Sequence, residues 1–195
     1  MSQPRFWAKT GQGEMREDGQ PKYHPVICHL ADTAAVAMAI VRNHLSPIAR
    51  QHLAQGLGLP DDDSLIRFCG FMAGSHDLGK VSAAFQFQVS AVGQALVGQS
   101  LYDLWHGYPT TGQKTPHGTV TAATLPEFLT DLGLKKRLAK KLATIVGGHH
   151  GFFPSSADLQ ALSSDDVGRG NWSTFRRDIY KQLRDFVCLS PTDLP

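Results

Sequence analysis

Six side chains in four separate segments could do chemistry together: His29, the neighbours His76 and Asp77, His117, and the doublet His149–His150. Imidazole and carboxylate are ordinary ligands of divalent first-row metals, and a carboxylate has a second oxygen with which to bridge two ions. Each residue also has a plainer reading. A lone histidine on an apolar face is more often a hydrogen-bonded core residue than a ligand, and a two-residue His-Asp match arises easily by chance. The doublet is harder to dismiss, because adjacent imidazoles directly after Gly147–Gly148 are poor helix formers with no evident packing purpose. Together the six could hold two ions bridged by Asp77. Such a centre lowers the pKa of bound water and polarises a phosphoryl oxygen, which suits phosphodiester hydrolysis. Lys80, three residues beyond Asp77, would neutralise charge developing on the phosphate. Imidazole-rich ligation favours manganese, nickel, cobalt, iron or zinc over magnesium, which prefers oxygen ligands.

Helices are expected to position these groups. Ile27, Leu30, Ala34, Ala37, Val41 and Leu45 recur at three- and four-residue steps, predicting a helix over 26–45 with His29 near its start. Ser64 is placed to cap a second helix with an apolar face of Leu65, Phe68, Cys69, Met72 and Ala73, which delivers His76–Asp77 at its end. Residues 81–97 read as helical, 107–116 as a loop, and a further helix starts at Pro116 with His117. Leu134, Leu138, Leu142 and Ile145 form a stripe that stops at Gly147–Gly148, just before the doublet. Trp172, Phe175, Ile179, Leu183 and Phe186 define a last amphipathic helix. Residues 1–23 read as an irregular arm, and no strand pattern competes.

The bulk properties exclude more than they assert. Lys and Arg exceed Asp and Glu by 19 to 17, so overall charge does not argue for a nucleic-acid partner. The runs Lys135, Lys136, Arg137, Lys140, Lys141 and Arg176, Arg177, Lys181, Arg184 could follow a phosphate backbone, but such runs are usually solvated helix faces. Phe152 and Phe153 could stack bases. Three cysteines at unrelated spacings form neither a disulfide framework nor a zinc pattern, which suits a reducing cytoplasm. The most apolar stretch, 34–41, is shorter than a membrane span, and no signal-peptide core is evident.

Four runs in order, His29-Leu-Ala-Asp-Thr-Ala34, Gly74-Ser-His-Asp-Leu-Gly-Lys80, His117-Gly-Thr-Val-Thr-Ala-Ala123 and Gly147-Gly-His-His-Gly151, resemble the HD superfamily of metal-dependent phosphohydrolases. Within it they resemble the HD nuclease domain of the CRISPR-associated helicase-nuclease of type I systems. The resemblance implies an all-α, compact helical HD-domain bundle with its metal centre between helices. It implies one or two divalent metal ions on His29, His76, Asp77, His117, His149 and His150. It further implies cleavage of single-stranded DNA in CRISPR interference, beside a helicase, attached or separate, and a crRNA-guided surveillance complex, with no membrane. On this reading residues 1–195 are a single HD domain cut short at its C-terminus. The family's further Asp-bearing helix has no counterpart before Pro195, since Asp158, Asp165, Asp166, Asp178 and Asp185 lie in unmatched contexts. The group of His117, His149, His150 and Asp77 is therefore expected to hold metal better than the group of His29, His76 and Asp77. Two other readings stay open: an HD phosphohydrolase acting on nucleotides or cyclic nucleotides, and an inactive metal-bound docking module. His106 is the main rival to His117, and His24, His44 and His52 are unassigned.

Overall fold

In a computed structural model, residues 5–105 and 115–195 are described. Strands β1 (Trp7–Met15) and β2 (Pro21–Pro25) form an antiparallel hairpin with register irregularities between Trp7 and Lys9 and between Thr10 and Met15. Helices follow: α1 (Val26–His44), α2 (Pro47–Leu57), α3 (Asp62–Gly74), a 3-10 turn (Ser75–Lys80), α4 (Ala83–Gln86), α5 (Ser90–Val97), α6 (Gln99–Asp103), α7 (His117–Asp131), α8 (Lys136–Gly147), α9 (Ser156–Ala161), α10 (Ser164–Val167) and α11 (Trp172–Phe186). A second 3-10 turn (Pro191–Asp193) closes the chain, its Asp193 held by Arg67 of α3 at 2.7 Å. This is the compact helical bundle that the periodicity and the resemblance predict.

The helix faces follow the hydrophobic pattern. Leu30, Ala34 and Val41 of α1 are buried against α3, which is apolar nearly all round and occupies the centre with Leu65, Phe68 and Phe71 buried. Small residues let the axes close: a Cβ on Gly70 would strike the Met38 side chain, and one on Gly74 would strike Leu183 and Ala34. Asp61, rather than Ser64, caps α3. Its carboxylate accepts the Ser64 N–H at 2.7 Å, leaving Ser64 buried inside the first turn. The stripe on α8 holds through Leu134, Leu138 and Leu142, but Ile145 faces solvent. By length and hydropathy α1 could cross a bilayer, a wider apolar span than residues 34–41; in the structure it packs along α3 and against α11, as a core helix does.

The N-terminal segment departs from expectation: what reads as an arm is a hairpin built into the body. Gly, Gln and charged residues hide its alternation, while Phe6, Trp7 and Ala8 are buried. The Gln86 side chain joins it to the helices. Its amide NH2 donates to the Trp7 carbonyl (2.9 Å) and the Lys80 carbonyl (2.8 Å), and its carbonyl oxygen accepts the Trp7 N–H (3.1 Å). Residues 81–97 are likewise two short helices, α4 and α5, with Ser82 capping the first.

Gln86 is fully buried, so truncating it leaves a backbone N–H and two carbonyls without partners. Each orphaned buried group costs about 1–3 kcal/mol. With three groups orphaned, Gln86→Ala is expected to lower unfolding free energy by about 3 kcal/mol or more. Denaturant melts followed by circular dichroism measure this, and a near-zero change would mean the hairpin is not coupled to the body through this side chain.

Candidate metal centre

Helix ends build the site. His29 lies in the first turn of α1, His76, Asp77 and Lys80 on the 3-10 turn after α3, His117 at the first position of α7, and His149–His150 directly after α8. At Asp77 the backbone leaves helical geometry for the sparsely populated bridge region (φ −106°, ψ 17°), a region where many active-site residues sit. The contacts that bring these ends together require missing side chains. A Cβ on Gly79 would run into the His117 carbonyl and the Thr121 N–H; Gly118 and Gly147 face each other across α7 and α8 with no room for either to carry one.

Asp77 is the hub, 3% exposed. Its Oδ2 lies 2.8 Å from His29 Nε2, 3.1 Å from His76 Nε2 and 2.8 Å from Lys80 Nζ; its Oδ1 lies 2.9 Å from His117 Nε2 and 3.2 Å from His149 Nε2. His150 Nε2 is 3.1 Å from His117 Nε2, which is 3.3 Å from His149 Nε2. The six residues therefore fall into two groups sharing Asp77: His117, His149 and His150 on one side, His29 and His76 on the other, with ligand atoms in each group within 4.8 Å of one another. The sequence expectation grouped them the same way. Among the described residues no other carboxylate joins either group. Asp158 and Asp166 are held in capping boxes, and Asp178 and Asp185 are exposed. His106 lies outside the described residues.

The donor set fits a cation. His76 Nδ1–H donates to the Ala73 carbonyl (2.9 Å) and His149 Nδ1–H to the Val146 carbonyl (3.0 Å), so in the neutral rings the Nε2 lone pairs point at a carboxylate that can only accept. Asp77 Oδ1, though close to two imidazoles, is buried without a well-formed hydrogen bond. Nitrogens bound about 2.0–2.1 Å from one ion stand roughly 2.8–3.4 Å apart at ligand angles between octahedral and tetrahedral. The 3.1 and 3.3 Å separations around His117 fall in that range. Burial opposes the Asp77 charge, but in their protonated form the imidazoles of His117, His149 and His76 donate through Nε2–H, outweigh it and hold the carboxyl well below the usual range. Burial pushes the His29 imidazole down, and burial with the neighbouring His149 and His117 pushes His150 down, so both favour the neutral form a metal requires.

Several contributors are not apparent from the pattern. Thr121, one turn after His117 and fully buried, accepts the Gly79 N–H (2.8 Å) and lies 3.0 Å from the His76 carbonyl, bolting the 3-10 turn to α7. Lys80 does not project toward solvent: its ammonium, besides Asp77, donates to the Ala8 carbonyl of β1 (3.2 Å) and lies over the Phe85 ring. The Phe85 ring also stands edge-on to His117, and that of His24, paired with Asp32, stands edge-on to His29. Arg176, read with the basic run of α11, is buried and donates to the Val81 and Val167 carbonyls, and burial lowers its pKa to about 10; Arg177 pairs with Glu127 and Asp131. Arg184 also pairs with Asp185 (3.3 Å), so packing and ion pairs engage three of the four cations on that face of α11.

Fold and site define a helical HD-type domain with a shared His/Asp cluster. The HD-domain family of Cas3 matches residues 7–195, and the chain belongs to that family. It is 35% identical, over an alignment 187 residues long that covers 91% of this chain, to the CRISPR-associated endonuclease/helicase Cas3 of Thermus thermophilus, of which it spans 18%. A crystal structure of a CRISPR-associated protein superposes with a TM-score of 0.78 at 37% identity, covering 92% of this chain and 19% of that one. The Thermus thermophilus Cas3 HD domain, crystallised in the presence of Ni2+, superposes with a TM-score of 0.63 at 27% identity over 85% of this chain and 60% of that one.

Because Thr121 and Gly79 set the spacing of two ligand-bearing elements, Thr121→Val is expected to orphan the buried Gly79 N–H and cost about 1–3 kcal/mol. It should also weaken metal retention by roughly 10–100-fold, as is usual for a group that orients ligands. Thermal melts and metal titration of the stripped protein test both, and wild-type retention in Thr121→Val would remove the hydroxyl from the site.

Proposed function

We propose that this domain is a metal-dependent deoxyribonuclease that hydrolyses phosphodiester bonds of single-stranded DNA in CRISPR interference against invading DNA. It would work in the cytoplasm, away from membranes, on strand delivered by a helicase, attached or separate, within reach of a crRNA-guided surveillance complex. The observation that carries this reading is the convergence of five imidazoles on one buried carboxylate, in a chain whose family includes an endonuclease/helicase. Asp77, His117, His149 and His150 would hold one divalent ion, and His29, His76 and Asp77 a second. When bound, such ions supply Lewis-acid polarisation of a phosphoryl oxygen and a water of lowered pKa. The chain's own part is positioning. Asp77 presents one oxygen to each group, while the Ala73 and Val146 carbonyls fix the tautomers of His76 and His149. Lys80 offsets charge through Asp77, against which its ammonium is buried. The side chains of His29, His76, His117 and His149 keep 16–19% exposure, leaving the centre open to a strand from one face.

The deciding experiment adds metals singly to stripped protein and follows degradation of single-stranded DNA beside mononucleotides and cyclic nucleotides. Turnover of nucleotides alone would favour a small-molecule phosphohydrolase, and metal uptake with no hydrolysis would favour an inactive docking module. Manganese, cobalt or nickel is expected to outperform magnesium, and magnesium equal or better would contradict an imidazole-rich site. Asp77→Ala removes the carboxylate common to both groups and is expected to cut cleavage by on the order of 10³-fold or more, beyond the roughly 10–100-fold of an orienting residue. Retained turnover would refute the assignment. With four donors against three, the His117 group is expected to hold metal more tightly. Elemental analysis should find a larger loss in His150→Ala than in His29→Ala, and the reverse order would invert the ranking.

A further inference from the structure

One face beside the metal centre is not used by the cluster itself. Helix α8 carries Lys136, Arg137, Lys140 and Lys141 and no acidic residue, and all four are exposed. Among the described residues none of them forms an ion pair, whereas Arg50, Arg67, Arg169 and Arg177 elsewhere are each held by a carboxylate. In a chain whose net charge is only +2, this helix is a local concentration of unneutralised positive charge. Lys140, Lys141 and Thr144 form one wall of an open groove of about 680 Å³, with Pro126 of α7 and Leu159 of α9 opposite. The groove lies beside the α7–α8 pair, whose end at His117 and His149–His150 carries the cluster. Thr144 lies about 4.5 Å of helical rise before the end of α8 at Gly147, two residues short of His149, and the other wall belongs to the helix that begins at His117.

Between the doublet and α9 stand two aromatic rings that packing does not claim. Phe152 is 61% and Phe153 59% exposed, and the Phe153 ring lies against Gly148, where a Cβ would collide with it. Exposed tandem aromatics next to unpaired lysines are what a flexible polyanion with planar bases requires: cations follow the phosphates and rings stack the bases without reading sequence. A protein partner would use the apolar rings but would gain little from an acid-free row of lysines unless its own surface were strongly acidic.

Resting on the reading of the domain as a nuclease for single strands, we propose that this face is the approach track of the strand. Lys140 and Lys141 hold phosphates in the groove, and Phe152 and Phe153 stack the bases next to the scissile position. The track enters the centre from the His149–His150 side, and because stacking accepts every base, it is indifferent to sequence.

Binding is measured on the whole chain in chelator, so that cleavage does not interfere, by fluorescence anisotropy of a labelled oligothymidine across a salt series. An abasic strand of equal length serves as comparison. Lys140→Gln with Lys141→Gln is expected to weaken binding of both strands and to make the log–log salt dependence shallower by about 1.4, two contacts at about 0.7 each. Phe152→Ala is expected to weaken oligothymidine binding by about 5- to 150-fold while leaving the abasic strand unaffected. Phe153→Ala should act likewise; its contact with Gly148 could disturb the doublet, so Phe152→Ala and the lysine pair decide the matter, with melting curves confirming that they fold. If wild type binds the oligothymidine and these variants bind it equally well, the track is overturned, the face is left to a protein partner, and the nuclease reading stands. Equal loss on the abasic strand for Phe152→Ala overturns base stacking. If wild type itself binds no single strand, both the track and the single-stranded substrate fail.

Discussion

Asp77 is buried to 3% exposure with four imidazole nitrogens and one ammonium within 3.2 Å, and the rest of the structure is arranged to make that tolerable. Taking a carboxylate out of water costs several kcal/mol unless its charge is met by excellent geometry on both oxygens. One helix cannot supply this, because neighbours on a helix face lie in one line rather than around a point. Four chain segments must therefore end at the same place. Protonated, the surrounding imidazoles keep the carboxyl ionised; neutral, their Nε2 lone pairs are free to ligate a cation, so one arrangement suits both states.

Bringing four helix ends to one point sets the packing around it. Chains approach closely where Gly79, Gly118 and Gly147 leave room for carbonyls of neighbouring elements, and Thr121 ties two of the elements by side-chain hydrogen bonds. Farther out, Gly70, Gly74 and Ala34 let α1 lie against α3, which carries His29 toward Asp77. The fully buried Leu30, Leu78 and Leu125 sit next to ligand-bearing segments, so core packing and site geometry are the same contacts seen from two sides.

The hairpin gives the site its closed side. Lys80 would be an unpaired buried cation without Asp77 and the Ala8 carbonyl, and Gln86 locks the strand that supplies that carbonyl to the end of the same turn. The opposite side, where His149 and His150 follow α8, carries the exposed Phe152 and Phe153, and α8 itself carries exposed lysines that form no ion pair among the described residues. The centre thus has one face packed against strand and helix and one face toward solvent.

Much of this is determined by the sequence itself. The apolar periodicity of residues 27–45 and 172–186 marks α1 and α11, and Gly147–Gly148 ends α8 where the stripe stops, because a helix must bury one face and a glycine pair favours its end. That six imidazole and carboxylate side chains in four separate segments could converge was legible from their types and spacing, and their division into two groups came with the family resemblance; the structure brings the side chains together in those two groups. Local patterns could not reveal the hairpin, whose polar residues mask its alternation and whose order comes from Gln86, 79 residues from Trp7. Nor could they separate Arg176, buried on backbone carbonyls, from the free lysines of α8, or place the Lys80 ammonium against Asp77 and β1. Whether a charged side chain faces water, a partner or a carbonyl depends on which distant segment packs over it, and only the tertiary structure decides that.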